Sequence, residues 1–244
     1  MTVPWEVKIA DVVDGWLFTG DDPLPPTMIV PLENPHLFDA SGWEVLGSPR
    51  RHVGLVAVHH PEGGAPVAVA KPVLGAAACA MLVDAASRRG VRTVIGVGYC
   101  GGTSRDLGSG TVIAASSAVP ADGVSTAYAP AVDRVAASPR LLAAIGSAVP
   151  TGPVHSVAAV HLEDQRLVDT CASQGVLGID METASLYTVA RVRGLDAVAL
   201  LVMSDIPVLG LPTHVPSLIS GSRTAVRYAA LLAGGHTLPR GSAP

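Results

Sequence analysis

Aromatic and charged residues are scarce in this chain. Phe, Trp and Tyr make up 4% of its 244 residues and Asp, Glu, Lys and Arg 15%, whereas hydrophobic residues make up 49%. Lysine is almost absent, occurring only as Lys8 and Lys71, and no run of basic residues stands out. A surface that binds nucleic acid would show clustered basic side chains, so we expect no nucleic-acid partner. The high apolar content favours a homo-oligomer that buries part of its surface.

Cysteines and long apolar runs are also few. The three cysteines, Cys79, Cys100 and Cys171, are odd in number and show no C-x-x-C spacing, which argues against a disulfide framework or a zinc site and indicates a reducing cytoplasm. The eight histidines show no helical metal spacing, so we expect no metal. No apolar run reaches the ~18–20 residues of a membrane span, and the N-terminus does not read as a secretory signal. We therefore expect a cytoplasmic protein without a membrane partner.

Strand and helix patterns alternate along the chain, which predicts an α/β fold with a mixed or mostly parallel sheet. Apolar runs bounded by turn residues predict strands at 27–30, 53–59, 66–70, 93–97, 111–115, 154–160 and 198–203. Helical periodicity predicts helices at 76–89, 138–148, 166–173, 184–193 and 217–232. Residues 117–137 are predicted to form a long loop. We expect one domain over residues 1–244, with loosely ordered ends at 1–26 and 234–244.

Two acids stand where a buried strand turns directly into a helix, Asp180 and Glu182. A third acid, Asp205, follows the next apolar run at 198–203. Acids at two strand ends predict a site at the edge of the sheet, although each acid alone is equally consistent with a helix cap or a loop. Asp205 would need partial burial and a raised pKa to donate a proton near neutrality, and the adjacent Ser204 is placed to orient it.

Residues 96–101 read Gly-Val-Gly-Tyr-Cys-Gly and match G-x-G-x-x-G after a strand. A dinucleotide site also needs a helix directly afterwards, because the pyrophosphate sits on that helix's N-terminus. Here residues 103–110 are turn-forming and another strand follows, so we expect no cofactor. Two interpretations of the glycines remain: close approach of a ligand to the backbone, or a tight crossing of packed strands.

Residues 175–187, together with 202–205, resemble the signature of the nucleoside phosphorylase/nucleosidase superfamily. The relevant branch contains purine nucleoside phosphorylases, uridine phosphorylases and methylthioadenosine nucleosidases. The spacing from Glu182 to Asp205 agrees with that signature, and residues 95–102 resemble the family's central glycine loop. The resemblance implies a single α/β domain whose mixed β-sheet forms a partial barrel flanked by helices. It also implies a dimer or hexamer that cleaves the N-glycosidic bond of a purine or purine-like nucleoside.

The same resemblance implies roles for individual residues. Asp205 would protonate the departing purine, Glu182 would bind the ribose hydroxyls, and Met181 would pack under the sugar. Further substrate contacts would come from residues beside these acids, in the glycine stretch, and where the family places an aromatic side chain against the base: Asp180, Ser204, Gly98, Tyr99, Cys100, Val160 and His161. Arg51 falls near an arginine that some members lend to a neighbouring subunit's phosphate site.

The chain departs from the phosphorylase pattern around phosphate. Residues 31–36 lack the G-D-x-x-R type loop, and Gly96 and Tyr99 stand where an arginine and a serine are usual. Phosphate needs cationic or amide donors, so hydrolysis is favoured over phosphorolysis, with Glu33 as the glutamate that would activate water. The co-substrate would then be water rather than phosphate. The alternatives are a repurposed relative acting on another ligand in a specialised biosynthetic pathway, or a non-catalytic nucleoside-binding protein.

Overall fold

Strands and helices alternate in the computed structural model, which describes residues 5–32, 42–61 and 64–239, with side chains in the first helix described from residue 11. The strands are β1 Thr27–Leu32, β2 Pro49–Val53, β3 Val56–His59, β4 Val67–Ala70, β5 Thr93–Gly102, β6 Val112–Ala121, β7 Val135–Ala136, β8 Thr151–Val157, β9 Gly178–Asp180 and β10 Asp196–Met203. The helices are α1 Trp5–Leu17, α2 Ala76–Arg88, α3 Ser125–Tyr128, α4 Pro139–Ile145, α5 Gln165–Ser173, α6 Thr183–Arg193 and α7 Val215–Ala233. None of these helices has both the length and the apolar character needed to cross a bilayer. The predicted α/β class is confirmed.

The sheet closes on itself through β5. This strand pairs with β9 on one side and β10 on the other, and the path β10–β6–β8–β9 completes a barrel of mixed strand direction. Strands β1, β4, β3 and β2 extend the sheet outward from β5. The pairs β1–β5 and β5–β10 are parallel, whereas β5–β9 and β6–β10 are antiparallel. The expected single domain with a mixed sheet and a barrel is therefore confirmed.

Helix α6 is anchored to the barrel by Tyr187, which is almost completely buried. The Tyr187 hydroxyl donates to the Ala115 carbonyl on β6 (2.6 Å) and accepts from the Ala199 N–H on β10 (2.8 Å). The register pairs β6 and β10 only as far as Ala114 and Leu200. The hydroxyl therefore bridges the two strands where they separate, satisfying backbone groups that would otherwise be buried without a partner.

The N-terminal segment differs from the prediction that residues 1–26 are irregular, because α1 occupies Trp5–Leu17. The helix is held by tertiary contacts. Arg88 of α2 donates to Asp14 (2.5 Å), and the Leu17 carbonyl accepts from the Leu55 N–H (2.8 Å). Such contacts stabilise short helices more than local propensity does, which explains why the sequence pattern alone did not indicate this one.

The prediction of a long loop at 117–137 is also wrong. Strand β6 continues to Ala121 because it pairs in parallel with β8 from Ala114 onward. Asp122 then turns the chain into α3 by accepting from the N–H groups of Val124 and Ser125, both at 2.7 Å. Polar and small residues in this stretch suggested a loop, but the neighbouring strand β8 supplies the backbone hydrogen bonds that extend β6.

Candidate functional site

Three strands converge at one end of the barrel. Ile179 of β9 pairs with Gly101, Met203 of β10 pairs with Cys100, and the Gly102 N–H donates to the Asp205 carbonyl (2.8 Å). Strand β9 runs antiparallel to β5 and β10 runs parallel to it. The acids that follow β9 and β10 therefore approach the same stretch of β5 from opposite directions.

Asp180 lies at this junction and caps helix α6. It is 4% exposed; its Oδ2 accepts from the Thr183 N–H (2.9 Å) and hydroxyl, and its Oδ1 accepts from the Ser156 hydroxyl (2.5 Å). The Ser156 oxygen in turn accepts from the Ala184 N–H (2.9 Å). Burial raises the pKa of Asp180, while these hydrogen bonds favour its ionised form. Its oxygens are thus engaged by α6 and β8, which matches the simpler interpretation of this acid as a cap.

Glu182 directly precedes α6, at the N-cap position, but its side chain makes no capping hydrogen bond to that helix. Its Oε1 accepts from the N–H of Gly75 (2.6 Å), the residue that precedes α2. Burial and the nearby charge of Asp180 raise the pKa of Glu182 to about 8. Asp180 has more hydrogen-bond donors than Glu182, and these favour its ionised form. Met181 lies between the two acids, partly buried against the core.

Asp205 marks the other side of the site, after β10. The Ser204 hydroxyl donates to its Oδ1 (2.6 Å), as the sequence predicts, and the Ser204 N–H donates to the Cys100 carbonyl (2.9 Å). The carboxylate is half-buried. A short 3-10 turn, Pro207–Leu209, follows directly and approaches Gly101. Asp205 is therefore oriented by its neighbour and lies close to the end of β5.

Glu163 is an acid of this site that the sequence analysis missed. It follows the 3-10 turn Val160–Leu162 between β8 and α5, and it is half-buried. A Cβ on Gly101 would stand 3.6 Å from Glu163 Oε2 and 3.7 Å from Asp205 Oδ1, so the two carboxylates face a common space. Burial, then the charges of Asp205 and Asp180, raise the pKa of Glu163 to about 7. In the sequence, Glu163 stands next to Asp164 and resembles a surface acid. The one feature that could have indicated a role in the site is its position two residues after His161, a predicted substrate contact.

The glycine stretch is a strand, not the loop predicted after residue 97, because β5 extends to Gly102. A Cβ at Gly98 would lie 2.1 Å from the Leu32 carbonyl oxygen. Gly98 is thus needed for the close approach of β1, which supports the interpretation as a tight crossing of packed strands and not as a ligand loop.

Tyr99 and Cys100 both turn toward protein. The Tyr99 hydroxyl lies 2.9 Å from Ser222 Oγ on α7. The Cys100 thiol packs beside Gly178, where a Cβ would lie 2.7 Å from its sulfur. Burial and the neighbouring acids raise the pKa of this thiol well above its usual range. A neutral, packed thiol is a poor nucleophile, and Tyr99 is held toward α7.

The remaining predicted residues lie at the surface or outside the described residues. Val160 is 55% exposed and His161 is exposed, both in the turn that leads to Glu163. Arg51 pairs within the chain with Asp22 (3.0 Å). Glu33 lies in the segment 33–41, outside the described residues.

Among the residues that the structure describes, the acids of the site form no ion pair with a cation. In the described parts of the chain, the ion pairs of Arg51, Arg88, Arg140 and Arg193 all involve acids elsewhere. None of them includes the four site acids, Asp180, Glu182, Glu163 and Asp205. Over the same residues, no group of three His, Cys, Asp or Glu could hold a metal ion.

Comparison with known proteins gives concordant matches. The chain is 30% identical over 144 residues to a guanosine phosphorylase of Halorubrum lacusprofundi, covering 56% of this chain and 60% of that protein. It is 36% identical over 124 residues to a DeoD-type purine nucleoside phosphorylase of Myxococcus xanthus, covering 48% and 52%. The chain thus spans less than two thirds of the length of the curated relatives it matches.

Solved structures and a family model extend the match over most of the chain. A uridine phosphorylase of Vibrio fischeri ES114, crystallised with 6-hydroxy-1-naphthoic acid, superposes with a TM-score of 0.74 at 25% identity, covering 86% of this chain and 92% of that one. The model of the phosphorylase superfamily matches residues 37–230. Together with the barrel and the strand-end acids, this match shows that the chain belongs to the phosphorylase superfamily.

Proposed function

We propose that this protein cleaves the N-glycosidic bond of a nucleoside, with a purine or purine-like base as the leaving group. The observation that carries the proposal is the placement of Glu182 and Asp205 beside the same end of β5, one tied to Gly75 and the other oriented by Ser204. The relatives named guanosine, purine nucleoside and uridine phosphorylases support this reaction class.

The chemistry follows from the positions of the acids. Glu182 binds the sugar hydroxyls, and Met181 packs beneath the ring. As the bond between the sugar carbon and the base nitrogen breaks, its electron pair leaves with the base, which takes up a proton on the Asp205 side. The sugar becomes oxocarbenium-like, and the surrounding carboxylates stabilise its positive charge.

Water is the acceptor we favour over phosphate. At Gly96, where the resemblance places an arginine, a Cβ would already stand 2.8 Å from Leu32 Cδ1 and 3.0 Å from Leu186 Cδ2. Hydrocarbon therefore fills the direction that a phosphate-binding side chain would take. The site acids, which form no ion pair within the described residues, would also repel a phosphate dianion.

A nucleoside panel incubated with and without phosphate tests the proposal. We expect free base and free sugar in phosphate-free buffer, and strong loss of both in Asp205→Asn. A sugar 1-phosphate formed only when phosphate is present would establish phosphorolysis. Tight nucleoside binding without base release, unchanged in Asp205→Asn, would instead identify a non-catalytic binding protein.

A further inference from the structure

A cavity of about 280 Å³ lies between the outer strands β2–β4 and the 3-10 turn Trp43–Leu46. None of the residues that line it belongs to the candidate functional site. An apolar cavity of about 150 Å³ in another protein holds benzene. The cavity beside β2–β4 therefore has room for a bicyclic aromatic ring system.

The antiparallel ladder of β2, β3 and β4 forms the floor of this cavity. Ala57 on β3 pairs with His52 on one side and with Val69 on the other. Directly opposed residues in such a ladder project from the same face of the sheet, and all three line the cavity. The turn on the far side is anchored by Leu46, which is 1% exposed, and packs against α7. The cavity is thus enclosed by a strand ladder and a packed turn.

His59 brings a buried polar group to one end of the cavity. The residue is 9% exposed, and its Nδ1 lies 2.9 Å from the Gly47 carbonyl oxygen. Because a carbonyl only accepts, Nδ1 carries the hydrogen, and in the neutral ring Nε2 is an acceptor. Nε2 lies across the ring from Nδ1, so it points away from Gly47 and toward the cavity that His59 lines. No described residue is hydrogen-bonded to Nε2, so a ligand that donates there is favoured.

Lys71 brings a cation to the other end. Its N–H donates to the Leu55 carbonyl (2.8 Å), and Leu55 precedes His59 by four residues, which is roughly 13 Å along an extended strand. Lys71 is exposed and forms no ion pair within the described residues. No Asp or Glu is among the described residues that line the cavity. This end therefore favours an anionic group on the ligand.

We propose that this cavity binds a planar aromatic carboxylate. The rings lie between the turn that carries Trp43 and the floor at Ala57, a ring N–H or O–H donates to His59 Nε2, and the carboxylate pairs with Lys71. Apolar walls with a few convergent polar groups are typical of small-molecule sites. The proposed ligand site shares no residue with the proposed catalytic site, so the failure of either proposal leaves the other intact.

Isothermal titration calorimetry with indole-3-propionate tests this site without any turnover. We expect the wild type to bind with a Kd on the order of 0.1 mM. Ala57→Leu fills the middle of the cavity and should weaken binding roughly tenfold or more. The control Ala143→Leu, at an exposed position of α4, should bind like the wild type. Absence of binding to the wild type at millimolar probe, or equal binding by Ala57→Leu, would overturn the site.

Changes at the two polar ends test the ligand class, and they remain informative if Ala57→Leu does not fold. Lys71→Met should weaken indole-3-propionate about threefold to fivefold and leave the neutral indole-3-propanamide unchanged. In the wild type, 1-methylindole-3-propionate, which cannot donate, should bind about fivefold more weakly than the parent acid, whereas in His59→Phe the two acids should bind alike. Equal effects of Lys71→Met on acid and amide, or equal binding of the two acids to the wild type, would overturn the assignment.

Discussion

The two sides of the site are built differently. On the side of β9, Asp180 has three described donors around it and Glu182 is tied to Gly75. On the side of β10, Asp205 has the adjacent Ser204, and Glu163 opposite it has no described donor. The first side is part of the scaffold that joins α6 to the barrel, whereas the carboxyls of the second side face the position that a Gly101 side chain would take.

This difference predicts that the acids on the first side contribute to folding stability, whereas those on the second side contribute to catalysis. A carboxylate whose oxygens are already satisfied contributes to folding, and its removal leaves buried donors without partners. A carboxylate that faces an open space contributes little to folding and is free to exchange a proton. Substitutions on the two sides should therefore affect different measurements.

The largest effect should be on catalysis in Asp205→Asn. Because an amide cannot donate the same proton, we expect kcat/KM to fall by about 10²–10⁴-fold. The free energy of unfolding, measured by urea denaturation, should change by less than about 1 kcal/mol. A large loss of stability would show that Asp205 belongs to the scaffold, like Asp180.

The converse result is expected for Asp180→Ala. Losing the acceptor of the Thr183 and Ser156 donors should lower the free energy of unfolding by about 2–4 kcal/mol. Asp180→Asn, which retains one acceptor oxygen, serves as the control and should lose less. If Asp180→Ala were as stable as the wild type but inactive, the division between the two sides would fail.

A smaller effect on activity is expected for Gly101→Ala. The added methyl would meet Glu163, Asp205 and Pro207 at ordinary contact distances, so the free energy of unfolding should stay within about 1 kcal/mol of the wild type. Occupying the space between the acids should lower kcat/KM by about tenfold or more.

The neighbouring Gly102→Ala is the matched control for that variant. Its methyl would stand 2.7 Å from Ile206 Cδ1 and 3.0 Å from Met203 Sδ. This overpacking should destabilise the fold by about 1–3 kcal/mol. Equal losses of stability in the two variants would show that the space beside Gly101 is not open.

The smallest effect is the pH dependence of stability that Glu163 imposes. Its pKa is about 7 in the folded protein against an ordinary 4.5, so the folded state binds the proton more tightly between these values. The stabilisation is complete below about pH 4.5 and is lost as the pH rises to about 7. Glu163→Gln should match the wild type at pH 4 and be more stable at pH 8, by under about 1 kcal/mol. Parallel curves in urea denaturation would contradict the raised pKa.

Much of the fold could be predicted from local pattern. Helix α6 ends at Gly194, which adopts φ 68°, after cations in its last turn, as the sequence indicates. The elements that the sequence did not predict are stabilised by neighbouring parts of the chain. Helix α1 is held by the contacts of Asp14 and Leu17, and the second half of β6 is held by its pairing with β8. The end of β5 was predicted to be a loop because glycines are typical of flexible loops. Here they allow neighbouring strands and side chains to pack closely.

The site was predictable only in part, for a similar reason. Asp180, Glu182 and Asp205 follow buried strands, so chain order alone brings them to strand ends. Glu163 follows a short turn, and only the closure of the barrel places it opposite Asp205. Glu163 and Asp205 are distant in sequence, and a single sequence carries no mark of their proximity in the fold.

The glycine at position 96 has a consequence for how this chain can change. An arginine introduced there would bring an unpaired charge among Leu32, Leu186 and the Ala199 methyl, a strongly destabilising substitution. Accommodating such a cation would require smaller side chains at two or more of these places, and each such change alone would leave a cavity. The packing of the core around Gly96 therefore excludes a cationic side chain there unless several neighbouring residues change as well.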